Sequence, residues 1–123
     1  MACDRPQYVT DILMDGDEKS MIEEMDMKDY VKNHLGRENT ILIDTREKQL
    51  YEFGTIPGAI HIPLDNIRQL YHLPHGQDIY VFCQAGELSR EMVELLSDAG
   101  YHACNLAGGY REYLRTQMPE EAD

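Results

Sequence analysis

Basic side chains are scarce. Lysine and arginine number 11 against 23 aspartates and glutamates, a net charge of −12 at pH 7. Such a chain repels phosphate backbones, which argues against nucleic acid as a partner. The same repulsion argues against an anionic membrane surface. No apolar run approaches the roughly 20 residues that span a bilayer. The opening stretch MACDRPQYVTDILMDG has no cationic patch followed by an apolar segment, so a secretory signal is not expected. Cysteine occurs three times, at Cys3, Cys83 and Cys104, with no Cys-x-x-Cys spacing. A zinc knuckle or a thioredoxin-type dithiol is therefore not expected. Reduced thiols in a cytoplasmic setting are. No internal repeat or low-complexity tract stands out, and no Gly-x-Gly-x-x-Gly or Walker pattern is present.

What is present suits one compact domain. The 123 residues are 42% hydrophobic and 28% charged, ordinary values for a globular protein. A chain of this length buries roughly two-thirds of its unfolded surface and needs no disulfide or metal staple. Charge is unevenly spread. Residues 1–29 carry nine acids and three bases, and Glu120, Glu121 and Asp123 add three acids at the other end. The stretch 30–119 is closer to balance, with eleven acids and eight bases. The expected organisation is an acidic tail or linker over 1–19, partly ordered at best, a folded domain over 20–117 and an acidic tail over 118–123.

Hydrophobic spacing gives the elements. Met27, Tyr30, Val31 and Leu35 predict a helix that Asp26 caps and Gly36 ends. TILID (40–44) reads as a buried strand. REKQLYEF (46–53) follows as a short helix, and AIHI (59–62) as a strand. Leu64, Ile67, Leu70 and Tyr71 predict another helix after Pro63. IYVFC (79–83) is the clearest strand. Gln84 to Leu88 is a loop, and Ser89 to Ala99 the clearest helix, stopped by Gly100. YHACNL (101–106) is a strand, and Tyr110 to Gln117 a last helix. Strands alternating with helices imply an α/β fold with a parallel sheet covered on both faces.

The junction IYVFC-QAGEL-SREMVELL carries the chemistry. Cys83 closes a buried strand, and a helix begins about six residues later. Open parallel sheets build their sites beyond the carboxyl ends of strands. A loop curled around Cys83, with Gly86 allowing the unusual dihedrals, can turn backbone N–H groups inward. The helix N-terminus adds about half a positive charge. Both stabilise a thiolate, or an anion attached to its sulfur. The other reading is a buried cysteine packed as a small hydrophobe.

Four ordered segments carry a family resemblance: ILIDTRE (41–47), GTIPGAIHIPL (54–64), IYVFCQAG (79–86) and NLAGGYREYL (105–114). Together they resemble a single rhodanese domain over roughly residues 20–117. IPLDNIRQL, YVFCQAG and NLAGGY look most like the domain at the C-terminus of coenzyme A-disulfide reductases and related flavin NADH oxidases. The resemblance implies a roughly five-stranded parallel sheet flanked by helices. It also implies sulfurtransferase activity, with sulfane sulfur carried as a persulfide on Cys83. The loop Gln84, Ala85, Gly86, Glu87, Leu88 and Ser89 would cradle the terminal sulfur with its amides, without any metal or organic cofactor. Implied partners are a small donor, thiosulfate or a low-molecular-weight persulfide, or a protein thiol or persulfide.

Departures from the family pattern bear on the donor. Active members often read C-x-x-G-x-R-S, but Leu88 stands at the arginine position. Arg90, one turn into the helix, is a candidate to reach the loop rim instead. Glu87 adds a negative charge that repels dianionic thiosulfate. Thr55 replaces a frequent histidine. Asp44 and Arg46 match the family's Asp-x-Arg and are expected to organise the active loop; the bland reading is a surface ion pair. A related phosphatase loop needs Cys-x5-Arg, where this chain has Ser89. Gly108 and Gly109 are expected to let the chain pass close to the loop. His61 reads as a satisfied core histidine, and His61, His72, His75 and His102 give no convincing metal site. Cys104 is expected to be buried and inert, and Cys3 to sit in the tail. The alternative to catalysis is an interaction or regulatory module with a weak or silent loop, as an accessory part of a flavin disulfide reductase.

Overall fold

The computed structural model describes residues 7–10 and 21–118. Its centre is β5, Asp78–Phe82. Ile79 and Val81 enter one apolar cluster, and Tyr80 and Phe82 enter another. Successive strand side chains point to opposite faces, and all four are buried. A strand apolar on both faces requires cover on both, the condition for a parallel sheet with crossover helices.

The strands are β1 (Gln7–Thr10), β2 (Met21–Asp26), β3 (Thr40–Asp44), β4 (Ile60–His61), β5 and β6 (His102–Ala107). The sheet order is β1-β2-β6-β5-β3-β4. Five of them, β2 to β6, run parallel, as the family resemblance implies. The sixth, β1, lies antiparallel on the outer edge of β2. Residues 7–10, within the stretch expected as a tail, are thus part of the sheet. Cys3, residues 11–20 and the acids at 120, 121 and 123 lie outside the described residues.

On one face, α3 (Ser89–Asp98) buries Met92, Val93 and Leu96. Leu70 joins them from the segment Leu64–His72. On the other face, α1 (Met27–Asn33) contributes Met27 and Tyr30, and α4 (Gly109–Gln117) contributes Tyr113. The short α2 (Lys48–Phe53) buries no side chain.

Three local expectations change. The helix predicted after Pro63 is 3₁₀ and breaks at Asn66, where φ is −133° and ψ is 48°. Asp26 holds the N-cap position of α1, but its side chain makes no capping bond. The stretch MIEEMD (21–26), unassigned from the sequence, is β2.

Candidate active site

Cys83 lies one residue beyond β5, at the carboxyl end of the sheet, and is 4% exposed. Its Sγ accepts from the amide of Gly86 at 3.1 Å and from that of Ser89 at 3.4 Å. The Ser89 hydroxyl also lies 3.4 Å away. Ser89 opens the ten-residue α3, so the positive end of that helix faces the sulfur. Gly86 has φ of +94°, and a Cβ there would come within 2.7 Å of the Gly108 nitrogen. Only glycine suits both the backbone angle and the approach.

The loop is held from outside by its carbonyls. Tyr110 and Arg111, in the first turn of α4, donate their amides to the carbonyl oxygens of Cys83 and Gln84, at 2.8 and 3.1 Å. Asn105 Nδ2 donates to the Gly86 carbonyl at 3.0 Å. In a planar trans peptide the C=O and the following N–H point to opposite sides. Drawing these three carbonyls outward therefore turns the N–H groups of Gln84, Ala85 and Glu87 the other way. Gly108 and Gly109 bring α4 this close: a Cβ on Gly109 would strike the carbonyl oxygens of both Cys83 and Gln84.

Asp44 and Arg46 form a buried strut, not a surface pair. Asp44 is fully buried and Arg46 is 6% exposed. Arg46 Nη2 meets Asp44 Oδ2 at 2.8 Å and Nε meets Oδ1 at 3.0 Å. The guanidinium also reaches the Gly54 carbonyl at 2.5 Å and Gln84 Oε1 at 3.3 Å. Its centre lies 4.1 Å from the middle of the Tyr110 ring, within cation–π range. Thr55 donates to Asp44 Oδ2 at 2.7 Å. One ion pair thereby ties β3, the 54–55 turn, the Cys83 loop and α4 together.

Of the other loop residues, Gln84, Ala85, Glu87 and Leu88 are exposed and Ser89 is fully buried. A cleft of about 520 Å³ opens beside Cys83. Leu50, Leu64 and Leu88 give it apolar walls, with Arg46 and Lys48 among the charged residues lining it. Leu88 is 63% exposed. Arg90 forms an ion pair with Glu24 on β2, its Nε 3.4 Å from Oε2.

Two contributors escaped the sequence reading. Asn105 is fully buried and accepts from the Ser89 hydroxyl through Oδ1. It stood inside NLAGGY, and a polar residue within an apolar strand run was the available signal. Glu24 accepts from Asn105 Nδ2 at 2.6 Å. It sits in a stretch whose two adjacent acids hide the strand, and no sequence signal marked it.

The remaining candidates have structural partners. Cys104 is buried, and burial, followed by the charge of Glu23, pushes its thiol pKa up. His61 bonds the Arg46 carbonyl oxygen at 2.7 Å and stacks on Tyr51. His75 stacks on Tyr101, and His102 bonds Asp78. Among the described residues no helix is long and apolar enough to cross a membrane.

Comparison with known proteins matches these features. A family profile described as "Rhodanese-like domain" covers residues 27–116. The putative sulfur carrier protein YrkF of Bacillus subtilis is 27% identical over 76% of this chain and 52% of its own length. The chain thus spans about half of that relative. The human thiosulfate:glutathione sulfurtransferase is 30% identical over 62% of this chain and 80% of its own. Among solved structures, reduced Bacillus anthracis CoADR-RHD superposes with a TM-score of 0.64 and 32% identity, covering 75% of this chain and 16% of that one.

Proposed function

The chain belongs to the rhodanese-like domain family, and from that premise we propose that Cys83 accepts sulfane sulfur as a persulfide and passes it to a thiol or another nucleophile. The observation that carries this reading is the Cys83 sulfur facing the Gly86 and Ser89 amides at the start of α3, beside an open cleft. The two sulfur-handling relatives named above support the same chemistry.

The Cys83 thiolate attacks the outer sulfur of the donor. With thiosulfate, a bond forms from Sγ to that sulfur, the donor S–S bond breaks, and sulfite leaves with the electron pair. The terminal sulfur of the new persulfide carries the negative charge. The Gly86 and Ser89 amides that face Sγ, with those of Gln84, Ala85 and Glu87 turned away from their anchored carbonyls, would receive it. An acceptor thiolate then attacks the terminal sulfur, and Cys83 departs as thiolate.

The donor is a small sulfur compound, thiosulfate or a low-molecular-weight persulfide, or a protein persulfide. The exposed Glu87 and apolar Leu88 weigh against thiosulfate, because a dianion gains most from a charge-assisted bond there. Arg46, engaged by Asp44, Gln84 and Gly54, is a support of the loop. The likeness to CoADR-RHD, 16% of which this chain covers, supports the alternative reading, an interaction or regulatory module that is an accessory part of a flavin disulfide reductase.

The test is intact-mass measurement and peptide mapping of the reduced chain after incubation with thiosulfate and, separately, glutathione persulfide. One added sulfur on Cys83, absent from Cys83→Ser, is the expected result. Uptake that persists in Cys83→Ser overturns the assignment. So does a folded protein with a free Cys83 thiol that takes sulfur from neither donor. The interaction-module reading, which the exposed Leu88 favours, would then stand.

A further inference from the structure

Three buried or nearly buried polar side chains form a line from β2 to the Cys83 sulfur. Glu24 Oε2 accepts from Asn105 Nδ2 at 2.6 Å. Asn105 Nδ2 also donates to the Gly86 carbonyl at 3.0 Å. Asn105 Oδ1 accepts from the Ser89 hydroxyl, whose oxygen is 3.4 Å from Cys83 Sγ. Ser89 and Asn105 are fully buried, and the Glu24 side chain is 10% exposed.

The chemistry of the groups fixes the direction of each bond. A carboxylate and a carbonyl only accept. The Asn105 amide must therefore turn its two N–H bonds toward Glu24 and Gly86. A flipped amide would set its oxygen against two acceptors in a buried site. With Oδ1 facing Ser89, the single hydroxyl proton of Ser89 goes to Asn105. The Ser89 oxygen held there lies 3.4 Å from Cys83 Sγ, so Asn105 fixes which side of the hydroxyl the sulfur meets.

The same amide holds the Gly86 carbonyl outward. That keeps the Gly86–Glu87 peptide oriented with its N–H on the opposite side. One asparagine thus sets both the hydroxyl and a peptide of the sulfur cradle, and Glu24 sets the asparagine.

We propose that Glu24, reaching from β2, is a positioning residue for Cys83: it locks the Asn105 amide, and through it the Ser89 hydroxyl and the Gly86 peptide. The proposal rests on the reading of Cys83 as the sulfur acceptor. Glu24 lies on β2, outside residues 27–116, the segment the family profile covers. Arg90, 3.4 Å from Glu24 Oε2, steadies the carboxylate from the α3 side.

The experiment uses the full chain and three substitutions of Glu24. Glu24→Met keeps the bulk and removes the acceptor, Glu24→Gln restores an acceptor oxygen, and Glu24→Ala serves if Met does not fold. Two rates are read: sulfur loading at saturating donor, and alkylation of Cys83 by iodoacetamide. The second needs no sulfur donor, so it tests Glu24 even if the sulfur-transfer reading fails. Losing one buried bond of this kind predicts about tenfold slower loading in Glu24→Met, with the donor KM unchanged. Alkylation changes with it, and Glu24→Gln stays near the wild-type rates. Glu24→Met added to Asn105→Ala gives no further loss, because both act through one amide. Wild-type rates in folded Glu24→Met overturn the proposal. Losses that simply add in the double variant, or a Glu24→Gln as impaired as Glu24→Met, do the same. No loading in the wild type, with alkylation still following the predicted order, would remove the sulfur-transfer reading and leave the positioning role.

Discussion

The amide of Tyr110 donates to the carbonyl oxygen of Cys83 across 2.8 Å, joining the first turn of α4 directly to the proposed sulfur acceptor. Gly109 makes that contact geometrically accessible. Its φ is +62°, and a side chain there would strike the Cys83 and Gln84 carbonyls. Gly109→Ala should therefore cost roughly 3 kcal/mol, combining backbone strain with an unrelieved collision. Sulfur loading of Cys83 should fall with it. Gly58→Ala is the control, since Gly58 has φ of +91° with nothing within 4 Å. That change should cost only about 1–2 kcal/mol of strain. Urea unfolding of both variants decides the point: equal losses would mean that the close approach of α4 holds nothing.

The Asp44–Arg46 strut makes a second prediction. Asp44 has no exposure, and the Arg46 guanidinium makes three contacts with its carboxylate. Arg46→Met leaves that buried carboxylate without its cation, still bonded by the Thr55 hydroxyl and the residue 46 amide, which should cost about 3–5 kcal/mol. Arg46→Lys keeps the charge but not the planar fork that reaches Asp44, Gly54 and Gln84 together, so it should fall between. Adding Asp44→Asn to Arg46→Met should recover part of the loss, because the unpaired charge is then gone. Denaturant midpoints of the four proteins measure this, and an Arg46→Met as stable as wild type would return the pair to the status of a surface contact.

How far the sequence told this story depends on the element. β5 was legible because Ile79 to Phe82 is apolar on both faces, and Cys83, Gly86 and Ser89 follow at a spacing that leaves a loop and a helix start. β2 was not. Ile22 and Met25 belong to opposite faces, with Glu23 and Glu24 between them, so neither strand alternation nor an apolar run appears. Glu24 meets Asn105, 81 residues away in the chain, and Arg90, 66 residues away, partnerships no local pattern encodes. The Arg90 ion pair was hidden for the same reason: its partner Glu24 sits on the strand the sequence did not reveal.

Leu88 tests what limits the choice of donor. Its exposed side chain stands at the mouth of the cleft, next to the Cys83 loop. Leu88→Arg would place a cation where a thiosulfate dianion must enter, and a charge-assisted bond in that position should raise thiosulfate loading about tenfold or more. Glutathione persulfide should gain less, because its reacting end carries a smaller charge. Thiocyanate formed from each donor in the presence of cyanide provides the readout. No gain with thiosulfate in a folded variant would show that the missing cation does not limit the reaction.

His102 gives the fold a pH dependence of predictable sign. Its Nδ1 lies 2.7 Å from Asp78 Oδ1 on β5, and its Nε2 lies 2.9 Å from Glu23 Oε1 on β2. The bond to Asp78 first, and the charge of Glu23 after it, raise its pKa above the ordinary 6.5 against the opposing effect of burial. Folding therefore favours the protonated ring. The stabilisation is complete below pH 6.5, the unfolded value, and disappears as pH rises through the higher folded value. His102 is half exposed, so the change should be a few degrees at most in melting temperature. His102→Gln should remove the slope. The scan should stop near pH 8.5, because the buried Cys104 thiol begins to cost stability above its unfolded value of 9.0. An identical slope in wild type and His102→Gln would place the pH dependence elsewhere. A slope confined to the wild type would locate it at the junction of β2 with β5 and β6, the same strand that delivers Glu24 to the active loop.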